Sequence, residues 1–297
     1  MKKNLIFTLI YSCLAQIAIA QTTTLKLNLE KGKTYFQRID TEQKIAQNIL
    51  GQNVDMTQTI GLGYKIDVLN KDSKGNMTWK ITYNTVKMTQ ESAVTGKIEF
   101  DSEKSTQVDA SNPLGMAMRA LVGQTLEVVI NSLGEITDVK GTEQMIESMI
   151  EKMGVTSEAQ KQQMRESMKK EYGKDAVKNS FEGSFGFYPE KPVKIGDTWV
   201  RKAKKMGMQS MVLENTFKLL EIKNGMAKIE VNSKISPNTE DKNETKSEFS
   251  GKQTGFQWVD LKTGWVKDAN LKQDLKGKVN FQGMDVEMNI ESNIYIK

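Results

Sequence analysis

The sequence predicts a mainly β protein with α+β character at the margin: an antiparallel curved sheet or a two-lobed β-sandwich that carries a helical insertion. Three observations predict it. Apolar and polar residues alternate through several segments separated by Gly and Asn turns. One long stretch between them, Gly141 to Phe181, has helical spacing instead. The two flanking regions open on a similar order of residues, Lys31-Gly32-Lys33-Thr34-Tyr35 and Ile195-Gly196-Asp197-Thr198-Trp199. The third observation has two readings, an internal duplication or convergence of alternating strands on similar turns. On this organisation residues 1–20 are a signal peptide and 21–141 a first β-rich half with a short helix at 113–122. Residues 142–181 are the helical insertion and 182–297 a second β-rich half.

Taken in order, the chain begins with Lys2 and Lys3 ahead of the apolar runs Leu5 to Ile10 and Leu14 to Ala20, and Ala18-Ile19-Ala20 supplies small residues for cleavage. The expected cut lies between Ala20 and Gln21, which sends the mature chain to the periplasm or the cell exterior. A second reading makes Cys13 a lipid-bearing anchor, because Ile10-Tyr11-Ser12-Cys13 partly resembles a lipobox. Bulky Tyr11 and the apolar residues after Cys13 count against it. Cleavage removes two lysines and no acid, so 40 basic residues face 37 acidic ones and the net charge falls from +5 to +3. That balance is too mild for a nucleic-acid partner. No other stretch is apolar enough over enough residues to span a bilayer. The one Cys lies in the signal, so the mature chain has no disulfide and depends on its core.

Leu25, Leu27 and Leu29 alternate with polar residues and predict a short strand. Ile39 to Ile45 and the row Leu62, Tyr64, Ile66, Val68 predict two antiparallel strands about Gly51. The clearest alternation runs from Met77 to Thr85, one face apolar and the other polar. At Asn112-Pro113 the period changes, since Asn caps a helix and Pro fits its first position; Gly123 stops it. Thr125 to Ile130 and Gly134 to Val139 form a hairpin around Asn131 to Gly134. Met145, Ile146, Met149, Ile150 and Met153 then recur at helical spacing as far as Gly154. Ser157 and Gln160 match a capping box for a second helix ending near Gly173, whose thin apolar edge predicts a solvated position. In the second half, Val212 to Ile222, Met226 to Val231, Gly255 to Val259, Ala269 to Phe281 and Met284 to Ile290 read as strands. Comparison of the halves pairs Tyr64-Lys65-Ile66 with Phe217-Lys218-Leu219 and Phe100-Asp101 with Val259-Asp260.

With the signal, the Pro189 to Trp199 segment, the Gly134 hairpin and the β-helix-β order in view, the chain resembles the exported β-rich proteins of Bacteroidota-like bacteria that form a domain-of-unknown-function family. The resemblance covers nearly the whole mature chain. It implies an exported β protein and carries no established activity, so it assigns no catalytic residue.

The chemistry is bounded by what the chain lacks. It has no His, and no Cys after the signal, which removes Ser-His-Asp, Cys-His and His-metal mechanisms together. Asp101 with Glu103, and Glu240 with Asp241 and Glu244, are acidic groups best read as solvated turns. No catalytic residue, cofactor or metal is expected. The basic run Arg201, Lys202, Lys204 and Lys205 reads as an edge strand protected by cations, or else as a contact for anionic lipid head groups or an acidic glycan. The 17 methionines fill irregular cores and also suit variable apolar ligands. A cavity beneath the 113–122 helix would place Leu114, Met116, Met118, Leu121, Met145 and Met149 around an acyl chain. The leading expectation is therefore a non-catalytic exported envelope protein that binds an apolar ligand such as a lipid between sheet and helices. The alternative is a structural or assembly factor that binds other envelope proteins, and a carboxylate-only hydrolase ranks last.

Overall fold

The computed structural model describes residues 22–49, 51–94, 96–104, 113–205, 211–238, 248–281 and 284–297. Cys13, Ala20 and Gln21, and the acidic group Glu240, Asp241 and Glu244, lie outside the described residues. In chain order the elements are β1 (Thr34–Ile49), β2 (Gln52–Lys71), β3 (Met77–Ser92), β4 (Gly96–Asp101), α1 (Pro113–Leu121), β5 (Thr125–Ile130) and β6 (Ile136–Lys140). Three helices follow, α2 (Thr142–Lys152), α3 (Glu158–Tyr172) and α4 (Lys174–Phe185). The second half comprises β7 (Thr198–Lys205), β8 (Met211–Lys223), β9 (Met226–Pro237), β10 (Ser250–Asp260), β11 (Val266–Phe281) and β12 (Met284–Ile296). The helical insertion thus runs on to Phe185, four residues beyond its expected end at 181, because Val177, Phe181 and Phe185 recur every fourth residue and bury one face.

All the described strands belong to one antiparallel sheet in the order β6-β5-β3-β2-β1-β12-β11-β10-β9-β8-β7, with β4 alongside β3. The curved-sheet expectation holds and the two-lobed sandwich does not. The reason is the pairing of β1 with β12, from Ile39↔Ile296 to Asn48↔Glu287, which fuses the halves into a single surface. Ile39 and Ile45 of β1 and Ile290, Ile294 and Ile296 of β12 fall on one face, so the joint buries apolar side chains like any other part of the sheet. The sheet curls until its two edge strands, β6 and β7, both lie against α4.

The halves repeat a five-strand meander. Gly32 donates its N–H to the Val68 carbonyl and Val68 donates to Lys33; Gly196 donates to Leu219 and Leu219 donates to Asp197 in the same pattern. The ladder is interrupted between Val68 and Asn70 in one half and between Leu219 and Glu221 in the other. A further pair of irregularities, at Val129/Ile130 and Trp258/Val259, also corresponds. Strands β1, β2, β3, β5 and β6 therefore match β7 to β11. The sequence comparison needs two corrections. Ile66-Asp67-Val68 matches Phe217-Lys218-Leu219, two residues on from the expected register. Phe100 lies on β4, which has no counterpart. Alternation alone does not fix this register, because a shift of two residues preserves every inward and outward position.

The first lead-in segment reaches turns of both halves. Leu25, Leu27 and Leu29 are buried as their alternation predicts, but their segment is an extended strap and not a sheet strand. Apart from one isolated bridge, Thr23 with Val193, its amides bond turns, Leu27 N to Ser132 O at 2.9 Å and Asn28 N to Thr263 O at 2.8 Å. The turn glycines make this possible. Gly134 and Gly264 both have positive φ, +79° and +71°, and a Cβ on either would overlap backbone, of Phe185 for Gly134 and of Lys26 for Gly264. Over these turns sits the main core, where Trp79 stands edge-on to Phe185 at 5.3 Å and to Trp265 at 6.3 Å. Tyr188 is fully buried and donates its hydroxyl to Gly264 O at 2.5 Å.

Farther along the strands the helix-covered face changes character. A row of neutral polar side chains crosses it in register, one per strand: Asn215, Ser233, Gln253, Gln273, Ser292, Gln43, Gln58 and Gln90. Neighbours bond in pairs, Gln43 to Ser292, Gln58 to Gln90 and Gln273 to Gln253, each at 3.0 to 3.1 Å. The row separates the main core from a smaller apolar cluster formed by Ile45, Met211, Ile235, Phe249, Leu275 and Ile290. Cross-strand amide pairs of this kind hold the register of long strands.

Candidate functional site

Between the sheet and the helices lies a cavity of about 250 Å³, walled by β1, β2 and β3 on one side and by α1, α3 and α4 on the other. A β-bulge shapes its floor. Gly63 faces Thr85 while Tyr64 faces Tyr83, so Asn84 is the extra residue of β3. The bulge switches the inward positions of β3 from Tyr83 to Val86 and brings the Tyr64 and Tyr83 rings to 5.3 Å. A Cβ on Gly63 would displace the Thr85 hydroxyl. Ile39, Leu62 and Ile66 complete the floor.

The roof is mainly α4. Phe181 meets Tyr64 edge-on at 6.0 Å, and Phe181 and Phe185 stack at 6.2 Å. Ser180 and Ser184 sit one helical position away and also line the space. Tyr172 closes one end from the last turn of α3, where Gly173 joins the helices so tightly that a Cβ would overlap the Lys169 carbonyl. No residue of α3 is completely buried, Tyr172 included, in keeping with the helix's expected solvated position. Burial pushes the phenols of Tyr64, Tyr83 and Tyr172 above the ordinary tyrosine range, and mutual proximity adds to the shift for Tyr64 and Tyr83.

Of the six residues expected around an acyl chain, Met118 and Leu121 line this cavity. Met116 is half-buried and is not part of the wall. Met145 and Met149 are buried in the core, where α2 packs against α1 and β5. Neither lines the cavity. The side chain of Leu114 lies outside the described residues. Sequence reasoning missed the aromatic wall, although the spacing Val177, Phe181, Phe185 is a helical signal.

The basic run lies on the edge strand β7 and is not assembled into one patch. Arg201, largely buried, bonds Glu135 at 2.5 Å and Glu190 at 3.4 Å, and it also donates to Gly186 O. Its pair with Glu135 bridges the two edges of the sheet. Lys202 pairs with Glu214 at 3.1 Å, Lys204 is also engaged, and the side chain of Lys205 lies outside the described residues. Asp101 and Glu103 share Lys87 as an ion-pair partner. Among the described residues no group of three Asp or Glu could hold a metal, and no helix is long and apolar enough to cross a membrane.

The Glu135 pair gives a pH signature. Hydrogen bonds from Asn131 and Arg201 hold the Glu135 carboxyl below its usual range. A depressed carboxylate contributes stability above its unfolded pKa, about 4.3, and that contribution is lost as the pH falls through the lower folded value. Glu135→Gln is expected to lower the urea midpoint slightly at neutral pH and to flatten its decline below about pH 4.3. Urea midpoints of both proteins across the acid range check this, and an unchanged acid slope would show that the pair contributes nothing.

A family model described as a family of unknown function, DUF6263, matches residues 74–266. The chain belongs to that family. The matched region begins in the turn before β3 and ends at the start of β11, so it includes the helical roof of the cavity but not the floor strands β1 and β2. No curated protein matches the chain. Among solved structures, the chain is similar in fold to lipovitellin, from a structure described as "Lipid-protein interactions in lipovitellin", with a TM-score of 0.50 and 9% identity. The likeness covers 90% of this chain and 25% of that one, so the chain spans a quarter of the lipovitellin chain. The COG4313 outer membrane channel from Pseudomonas putida F1 is matched at a TM-score of 0.25 and 8% identity, over 91% of this chain and 97% of that one. Pseudomonas aeruginosa OpdQ is matched at 0.23 and 9%, over 89% and 99%.

Proposed function

We propose that this protein is a non-catalytic, exported envelope protein that binds an apolar ligand, of the lipid class, in the cavity between its sheet and its helices. The observation that carries the reading is the cavity itself: a concave space with apolar and aromatic walls and a few polar groups, the usual form of a small-molecule site. At about 250 Å³ it suits one acyl chain better than a two-chain phospholipid. The likeness to lipovitellin, whose structure is described in terms of lipid–protein interactions, supports the reading by analogy of fold. Export rests on the signal-like residues 1–20 and the Ala20/Gln21 junction.

Filling the cavity tests the proposal. Ser184 lines it from α4 and is only half-buried, so Ser184→Trp places a large ring in the space with modest strain on the fold. The wild-type protein is expected to bind the neutral fluorophore N-phenyl-1-naphthylamine saturably. Ser184→Trp should lose about tenfold or more of that affinity, roughly 1.4 kcal/mol, while its thermal midpoint stays close to wild type. Absence of saturable binding by the wild type would refute the proposal.

A second reading, an assembly factor for other envelope proteins, draws on the edges of the sheet. Among the described residues β6 and β7 each pair with one neighbour only, and a groove of about 650 Å³ runs between them along α4. Free edges of this kind accept an added strand. Arg201 and its carboxylate partners already occupy part of that gap, which ranks this reading second.

A further inference from the structure

We infer that the cavity takes an amphiphile with an uncharged, hydrogen-bonding head group and discriminates against an anionic one of the same chain length. This rests on the apolar-ligand reading and deepens it by naming the head-group class.

The charge of the lining points to this class. Its only group charged at neutral pH is Glu171, and no Lys or Arg lines the space. Of the nearby cations of α3 and α4, Lys169 pairs with Glu166, Lys174 with Asp138 and Lys178 with Glu182, while Lys170 is exposed and does not line the space. A carboxylate or phosphate brought into the cavity would lose its water without gaining a cation from the lining. Burying an unpaired charge is among the most costly changes in a protein interior.

The same walls offer neutral hydrogen bonds. Tyr64, Tyr83 and Tyr172 bring three phenols to the lining of the cavity. A phenol is protonated at neutral pH, so each can donate to a hydroxyl or carbonyl and accept from a hydroxyl. Gln37 holds its place by donating Nε2 to the Lys297 carbonyl at 3.0 Å, which adds a neutral amide to the floor. A site built from phenols and an amide rewards a head group that satisfies them and penalises one that leaves them unpaired.

The test is displacement of bound N-phenyl-1-naphthylamine by 1-decanol and by decanoate at about pH 8, well above the carboxyl range. Decanol is expected to displace the probe at about tenfold lower concentration or less, the equivalent of at least 1.4 kcal/mol. The combined Tyr64→Phe and Tyr83→Phe variant keeps both rings and removes both hydroxyls. Measured against the variant's own probe affinity, it should lose about tenfold in decanol affinity. Decanoate that competes as well as decanol, or a decanol affinity unchanged in the variant, would overturn the inference and leave the apolar-ligand reading standing. Failure of the probe itself to bind would overturn both.

Discussion

Gly264→Ala is expected to destabilise the protein by about 3–5 kcal/mol, near the upper end for a single substitution. Two costs combine. Gly264 has φ +71°, where a side chain adds strain of about 1 kcal/mol. The added Cβ would also overlap the Lys26 carbonyl and stand 2.9 Å from Leu27 Cα, so the strap carrying Leu25, Leu27 and Leu29 would have to move off the core. Gly75 is the control. Its φ is +87°, yet nothing lies within 4 Å of a Cβ placed there, and Gly75→Ala should cost only the backbone term, about 1 kcal/mol. Urea unfolding of the two variants separates strain from close approach. Equal losses would show that the strap does not press on the turn.

Trp79→Ala should cost about 3–5 kcal/mol, the range for deleting a buried aromatic side chain. Trp79 is completely buried on β3 and supports Phe185 of α4 edge-on. Phe185 lines the cavity, so the substitution is expected to weaken probe binding as well as stability. Phe256→Ala, on the outward face of β10 and 42% exposed, should change stability by less than about 1 kcal/mol and leave binding alone. Chemical denaturation and probe titration of both variants give the comparison. A Trp79→Ala protein that is destabilised but binds normally would mean that the cavity wall is independent of the core beneath it.

Local patterning carried much of the fold. Met77 to Thr85, the Asn131 to Gly134 turn, the Ser157 cap and the Gly32 and Gly196 openings each follow from a few neighbouring residues whose chemistry leaves little choice. The joining of β1 to β12 was not legible, because pairing between residues some 250 positions apart leaves no mark on alternation. The polar row was hidden for the same reason. Gln43, Gln58, Gln90 and Gln253 each look like an ordinary outward residue, and only the register of eight strands shows that they align. Bulges defeated the finer reading: Asn84 reverses the facing of β3, and the ladder breaks after Val68 and Leu219 are what identify the true register of the repeat.

The candidate site was legible in kind and only partly in place. A helix over a curved sheet was expected to enclose apolar space, and Met118 and Leu121 do line the cavity. Methionine spacing pointed equally to Met145 and Met149, whose helix packs them into the core. Tyr64 and Tyr83 could not be told from core aromatics, since a ring on the apolar face of a strand reads the same whether it meets a cavity or a neighbour. Arg201 shows the converse. Its place in a basic run suggested an open surface, while Glu135, 66 positions away, and the nearer Glu190 turn it into a clasp.

Native mass spectrometry of the protein recovered from an envelope extract without detergent tests the central claim most directly. A chain beginning at Gln21 and carrying one apolar adduct is expected, with the adduct lost in Ser184→Trp. A ligand-free spectrum from the wild-type protein, or an adduct that persists when the cavity is filled, would contradict the account.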